Sequence, residues 1–162
     1  MANYAAFGAI LAHFDTTDGY VTVAQVADIS MPALALETPD VTGHDADSAH
    51  RGFVGGVKDI GEMSLDLIFD PVAASHISQW TALTNRDYGV FRMTLPDAGA
   101  TTWAWRAFVT GFEPTAPVAD GLTATVTMRG TGDPKLESDF VFLLDDAGAY
   151  LVDDLGHVLI ES

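Results

Sequence analysis

The chain has 162 residues, 48% of them hydrophobic, which suits one compact domain with extensions and is too short for two ordinary domains and a linker. Seven basic and 23 acidic residues give a formal charge of -16, which disfavours sequence-independent binding to phosphate backbones or anionic lipid surfaces. No cysteine occurs, which excludes disulfide bonds and thiolate metal sites.

The N-terminal residues show no targeting pattern. Residues 1–4 contain no basic side chain ahead of the short apolar stretch at 7–11. No run in the chain approaches the roughly 20 apolar residues that a membrane-spanning helix needs. We therefore expect neither export through a signal peptide nor insertion into a membrane.

Alternating apolar and polar residues predict strands with one buried and one exposed face. The first strand covers residues 20–28, and residues 90–112 predict a hairpin around a turn at 96–99. In a strand at residues 62–69, the apolar face comprises Met63, Leu65, Leu67 and Phe69, and the other face Glu62, Ser64 and Asp66. The alternation is most regular in residues 122–129, where Leu122, Ala124, Val126 and Met128 oppose Thr123, Thr125, Thr127 and Arg129.

One helix is predicted over about residues 70–84. The Asp70 side chain is able to accept a hydrogen bond from the free amides of a first turn, and Pro71 suits the first helical position, which needs no donor. Apolar residues then recur at helical spacing, and residues 85–89 end the pattern with a glycine. The helix is expected to cover one edge or end of a sheet.

Residues 38–58 predict a long loop between two strands, because they combine many turn-forming residues with little periodicity. Phe53 and Val54 are apolar residues flanked by glycines, a pattern typical of a segment that docks on a neighbour. We interpret this segment as a subunit-contact arm. Its expected contact residues are Asp40, Thr42, His44, Asp45, Asp47, His50, Arg51, Phe53 and Val54.

The C-terminal residues repeat with a spacing of eight, since the sequence Asp-Asp-x-Gly occurs at 145–148 and again at 153–156. Each copy signals a turn between short apolar runs, so the pattern predicts a three-stranded β-meander. A meander of this size is not stable alone. We expect it to pack on the main domain or on another subunit, and divide the chain into a domain at 1–132 and an extension at 133–162.

Two groups of residues have the composition of a binding or catalytic site. His44, Asp45, Asp47 and His50 offer imidazole and carboxylate groups to a divalent metal, but they match no known loop spacing. Trp103 and Trp105 share one strand face, as in carbohydrate-binding modules, although packing in a core is the commoner reason. No nucleotide-binding loop or nucleophile motif occurs, so the sequence predicts neither a cofactor nor an enzyme.

Four segments carry a resemblance by their order along the chain. They are Gly-Glu-Met-Ser-Leu-Asp-Leu at 61–67, Phe-Arg-Met-Thr-Leu-Pro-Asp at 91–97, Ala-Phe-Val-Thr-Gly-Phe at 107–112 and Ala-Thr-Val-Thr-Met-Arg-Gly-Thr-Gly at 124–132. Together they resemble the major tail tube protein of long-tailed, siphovirus-type phages, or the equivalent tail protein of gene transfer agents. The resemblance spans most of the first 132 residues.

This resemblance implies a mainly β fold, a β-sandwich or barrel of the tail tube type with one flanking helix. It implies a structural subunit of the virion tail, assembled in the host cytoplasm as hexameric rings that stack into a tube. The implied partners are other copies of the chain, a tape-measure protein, and terminator or tip proteins, with DNA passing through without specific binding. No membrane partner is implied.

An acidic channel wall would keep DNA from adhering during this passage. The residues expected to line the lumen are Glu62, Ser64, Asp66, Thr123, Thr125, Thr127 and Arg129. Arg129 is the exception in charge, and an acidic partner is expected for it. Two other functions stay open: a carbohydrate- or protein-binding β-sandwich module of a decoration or tail-associated adhesion protein, and a metal-dependent hydrolase that uses His44, Asp47 and His50.

Overall fold

The period-two alternation of apolar residues produces the long strands of the fold. A computed structural model describes residues 8–42, 50–136 and 149–150. The fold is mainly β and antiparallel, as predicted from the sequence. In chain order its elements are β1 (Ile10–Asp15), β2 (Gly19–Thr22), β3 (Val26–Ile29), β4 (Leu34–Leu36), β5 (Lys58–Ile60), β6 (Glu62–Ile68), α1 (Ala74–Asn85), β7 (Tyr88–Thr94), β8 (Thr102–Thr115) and β9 (Thr123–Leu136).

Seven strands form one sheet in the order β2-β1-β7-β8-β9-β6-β3, and β4 pairs with β5 in a separate ribbon. The two edge strands β2 and β3 are joined by residues 23–25 alone. A link of this length spans at most about 14 Å, so the sheet must curl until its edges approach each other. The Val23 N–H donates to the carbonyl of Leu11 on one side, and the Ile68 N–H donates to the carbonyl of Gln25 on the other. The sheet is therefore curled like a barrel.

Several strands differ from the sequence-based expectation, and β1 lies in a segment for which no strand was predicted. The predicted strand at 20–28 is broken into β2 and β3, and Gln25 adopts a φ of 53° in the link between them. The physical reason is that the chain has to cross from one edge of the curled sheet to the other. β9 continues to Leu136, beyond the predicted domain boundary at residue 132.

The inner face of the curled sheet carries the core. Its buried residues are Leu11, Val23, Ile60, Met63, Leu65, Leu67, Phe91, Met93, Trp105, Ala107, Val109, Val126 and Met128. Burial of each large side chain among them contributes about 1.5–3 kcal/mol. Trp105 is only 1% exposed, and Trp103 packs against the same cluster. This pair is therefore not available to stack on a sugar, and that interpretation of the two indoles was wrong.

The helix begins at Ala74, four residues later than predicted. The Asp70 carboxylate accepts a hydrogen bond from the Val72 N–H at 2.9 Å, and this bond closes a separate turn ahead of the helix. The predicted capping role of Asp70 at a helix start is thus wrong, because its side chain is used within that turn. Arg86, in the left-handed region with a φ of 62°, ends the helix.

The helix covers one end of the sheet, as predicted. His76 is fully buried, and its Nδ1 accepts a hydrogen bond from the Asp70 N–H at 3.1 Å while Nε2 donates to the carbonyl of Ala24 at 2.7 Å. One turn further along the helix, the Trp80 ring packs edge-on against Phe112 of β8, with centroids 5.8 Å apart. His76 thus joins the helix to the link between the two sheet edges, and Trp80 joins it to β8.

A second histidine makes the stability of the fold depend on pH. His13 lies on the inner side of β1 opposite Phe91, and its Nδ1 has no hydrogen-bond partner among the residues that the structure describes. Burial lowers the pKa of His13, an effect that Asp15 partly opposes. The folded state therefore favours the neutral ring. The contribution of neutral His13 to the free energy of unfolding is fully present above the unfolded pKa of about 6.5, and it decreases as the pH falls below that value.

We expect the free energy of unfolding to fall between about pH 7.5 and 5.5, at no more than roughly 1.4 kcal/mol per pH unit from this one group. His13→Leu should reduce that slope, because leucine takes up no proton on unfolding. Urea denaturation of both proteins across this range measures the effect. An identical slope in the variant would show that other groups cause the dependence.

Candidate functional site

The outer face of β6 and β9 brings together the residues that the sequence assigned to a channel lining. The antiparallel register places Glu62 opposite Arg129, Ser64 opposite Thr127, and Asp66 opposite Thr125, with Thr123 at the end of the same face. The Thr125 hydroxyl donates to the Asp66 carboxylate at 2.7 Å, which confirms that the two side chains lie on one face. We call this surface, formed by the seven predicted residues, the polar face.

The polar face extends onto both neighbouring strands. Asp28 of β3 lies opposite Asp66, and Glu113 of β8 lies opposite Thr125. Asp28, Asp66 and Glu113 are all exposed, and together they form a line across four adjacent strands. We call these three carboxylates the acidic row. Adjacent strands lie about 4.8 Å apart, and like charges directly opposite each other destabilise a sheet, so folding stability alone does not favour Asp28 beside Asp66.

Sequence reasoning missed Asp28 and Glu113. In β8, Val109 lies opposite Met128 and Gly111 opposite Thr127, so Thr110 is an extra residue in a β-bulge. Counting by twos from Trp105 would place Glu113 on the buried face, whereas the bulge moves it to the exposed face. No pattern in the sequence marks this bulge apart from the glycine at 111.

Two contacts hold the base of the arm on β9. Arg129 forms an ion pair with Asp59 at 2.6 Å, so Asp59 is the acidic partner expected for Arg129. Ile60 is buried and packs directly on Gly130, where any Cβ would overlap the isoleucine side chain. The exposed ion pair contributes about 0–1 kcal/mol, so the close packing of Ile60 on glycine is the stronger of the two contacts.

The arm is more ordered at its base than the predicted loop. β4 pairs with β5, and the backbone pairing continues outward to a bridge between Asp40 and Phe53. The Asp40 carboxylate accepts hydrogen bonds from the side chain and the N–H of Thr42, which hold the pKa of Asp40 below its usual range, and Arg51 lies 3.9 Å away. The predicted contact residues His44, Asp45 and Asp47 lie outside the described residues.

The paired part of the arm carries many exposed apolar side chains. We call them the apolar ribbon, and they are Leu34, Leu36, Val41, Phe53, Val54 and Val57. Scattered exposed apolar residues are normal on proteins, but six of them in one short two-stranded ribbon are typical of an interaction surface. The exposure of Phe53 and Val54 agrees with the interpretation of this segment as a contact arm.

A family model described as lambda phage tail tube protein matches residues 4–137. The chain belongs to this family. It is a structural subunit of a phage tail tube and a component of the virion tail. Family membership confirms the prediction that the chain is not an enzyme.

Solved tail structures share the fold of this tail tube protein. The tail of an empty gene transfer agent particle, refined with C6 symmetry, has a TM-score of 0.64 and 18% identity over 78% of this chain and 94% of that one. The SPP1 tail tube has a TM-score of 0.66 and 8% identity over 96% and 99%. The anti-feeding prophage baseplate gives 0.65 and 12% over 84% and 96%. No curated protein sequence matches the chain.

Three further sequence-based interpretations of this tail tube protein concern a metal site, a membrane-spanning helix and a domain boundary. Of the four residues considered as metal ligands, the described part of the chain includes only His50, which is exposed. The helix α1, within the described ranges, is too short and too polar to cross a membrane. The division into domains at residue 132 stays a prediction.

Proposed function

We propose that this tail tube protein forms hexameric rings that stack into a tube, and that the polar face lines an acidic bore through which DNA passes from capsid to host. The observation that carries this proposal is the acidic row on a four-stranded, outward-facing polar surface. A core-packing role cannot explain that surface, because its side chains point away from the core.

The strand pairing supports ring formation through sheet edges. Among the described strands, β7 pairs with β8 only from Thr102 to Phe108, so the later part of β8 has a neighbour on the β9 side alone. At the other side of the polar face, β6 is the one strand of the described ranges that pairs with β3. Unpaired edges on both sides allow the polar faces of successive copies to join edge to edge, and a closed ring removes free edges.

The expected width of such a ring suits its cargo. The gene transfer agent tail with the same fold has C6 symmetry. If six copies each contribute the four strands of the polar face at about 4.8 Å per strand, the wall has a circumference of roughly 115 Å and a diameter of roughly 37 Å between backbones. With side chains on the inner surface, this bore still admits a B-form DNA duplex.

The charge on the wall supports passage without adhesion. Electrostatic interactions are screened over about 8 Å at physiological salt, so DNA responds only to carboxylates that line the bore. The acidic row supplies Asp28, Asp66 and Glu113 at that surface, and Arg129 is paired with Asp59. A wall of this composition offers few cations to the phosphates and repels them at short range.

The arm supplies the contact with a neighbouring copy in this proposal. Its apolar ribbon is exposed in the single chain, and burial of each large side chain contributes about 1.5–3 kcal/mol to association. Asp40, Thr42 and Arg51 shape the backbone near its tip. The further partners implied are a tape-measure protein within the tube and terminator or tip proteins at its ends.

Negative-stain electron microscopy of the purified full-length protein tests the proposal. We expect six-fold rings and tubes of uniform width, with more tubes as the protein concentration rises. Sedimentation of the same samples would measure the assembled fraction. Persistent monomers at high concentration, with the arm intact, would contradict the proposed function.

A further inference from the structure

A second outer surface lies on β1, β2 and β7. The rings of Phe14 and Tyr20 meet edge-on with centroids 5.3 Å apart, and the Arg92 guanidinium lies 3.9 Å from the centroid of Tyr20. Val90 and Ala104 are buried beneath these side chains in a small cluster separate from the main core. We call Phe14, Tyr20 and Arg92 the aromatic patch.

A residue from the C-terminal region occupies this patch. The Tyr150 ring packs edge-on against Phe14, with centroids 4.8 Å apart and planes at 88°. The Tyr150 hydroxyl also lies close to Gly19, at 3.7 Å from the position of a Cβ there. Tyr150 is 14 positions beyond Leu136, the end of β9, and lies against the first hairpin of the fold.

The charges of the two partners are complementary. Residues 137–162 contain no lysine or arginine, and their acidic residues are Glu137, Asp139, Asp145, Asp146, Asp153, Asp154 and Glu161. The outer face that bears the patch holds Arg92, and Arg106 lies on the same face of β8, opposite Val90. These are two of only seven basic residues in the chain. Acidic pairs stand on both sides of Tyr150 in the sequence.

We propose that the aromatic patch is the docking site for residues 137–162 of the same chain. Tyr150 is the anchor, and the acidic residues around it complement Arg92 and Arg106. The sequence left open whether this extension packs on its own domain or on another subunit, and the contact of Tyr150 with Phe14 favours the chain's own domain. The proposal does not depend on tube formation.

The position of the patch has a consequence for the assembled tail. In the sheet order β2-β1-β7-β8-β9-β6-β3, curled so that its two edges approach each other, β1 lies across the barrel from β6 and β9. A segment docked on β1 and β2 is therefore kept on the side away from the polar face. The docked segment would also cover Arg92 and Arg106, which otherwise form a positive area on the surface of a negatively charged protein.

A spin label tests the proposal in the full-length chain, which has no native cysteine. Ala149→Cys carrying a nitroxide should give an immobilised spectrum at protein concentrations below assembly. Adding Tyr150→Ala should raise the label mobility several-fold, whereas Tyr150→Phe keeps the ring and should keep the label immobile. Arg92→Gln, or high salt, should raise the mobility of the label in part, because both weaken the attraction between the acidic segment and the arginines.

Each outcome decides the proposal. Equal label mobility with and without the Tyr150 ring would overturn it, and so would a mobile label in the background with Tyr150 intact. A label that loosens on roughly hundredfold dilution would show docking on another copy, and would also overturn it. Thermal melts of every variant show whether the fold is kept. Microscopy reports tube formation separately, so failure of the docking is distinct from failure of the proposed function.

Discussion

Deletion of residues 40–57 is expected to yield a folded monomer that no longer forms tubes. The pairing of Leu36 with Lys58 would remain, closed by residues 37–39, and hairpin loops of three residues are common. The contacts of Asp59 with Arg129 and of Ile60 with Gly130 lie outside the deleted segment. Most of the apolar ribbon would be lost, so the protein should keep a cooperative thermal transition while microscopy shows no tubes.

A point variant separates the apolar contact from the length of the arm. Phe53→Ser combined with Val54→Ser keeps the whole arm but removes two exposed apolar side chains, and should raise the concentration needed for tubes by at least about tenfold. Val118→Ser removes a still more exposed valine from the loop between β8 and β9, outside the arm, and is the control. If the deletion variant unfolds, the arm is part of the core. If the deletion variant still forms tubes, the arm is not needed for assembly.

Asp66→Lys combined with Glu113→Lys is expected to convert the bore into a surface that retains DNA. The two substitutions leave Asp28 as the remaining carboxylate of the acidic row, so the net charge of the row becomes positive. Incubated with short duplex DNA, tubes of the variant should retain at least about tenfold more DNA than wild type at low salt, and lose it steeply as salt rises. DNA held inside the bore should be protected from nuclease.

The matched control places the same charge elsewhere. Asp18→Lys combined with Asp87→Lys alters the formal charge by the same amount at the turn between β1 and β2 and at the end of α1. We expect these tubes to resemble wild type in nuclease-protected DNA, because screening confines the effect of each charge to its own surroundings. Equal protection of DNA in the two variants would mean that the polar face does not line the bore.

Local patterns in the sequence predicted several parts of this arrangement correctly. The alternation in residues 62–68 and 123–129 assigned one face of each strand to the core, because side chains in a strand point to opposite faces in turn. The seven residues of the polar face follow from the same rule. Turn-forming residues and the apolar pair Phe53 and Val54 also located the segment that carries the apolar ribbon, and its role as a subunit contact stays a prediction.

Other parts could not be predicted, because they depend on how distant segments meet. The start of the helix shifted to Ala74 because the Asp70 side chain bonds within a preceding turn. Glu113 joins the polar face only through the bulge at Thr110, which reverses the alternation of β8. Asp28 joins it because the predicted strand at 20–28 breaks where the chain crosses between sheet edges.

By itself, the sequence determined the class of fold, the acidity of the protein and the inner and outer faces of β6 and β9, since each of these depends on composition or on neighbours two residues apart. Tertiary structure alone decided the acidic row across four strands, the seating of Ile60 on Gly130 and the contact of Tyr150 with Phe14. These features join residues far apart in the chain. Their register is set by pairing and curling of the whole sheet, which no local pattern encodes.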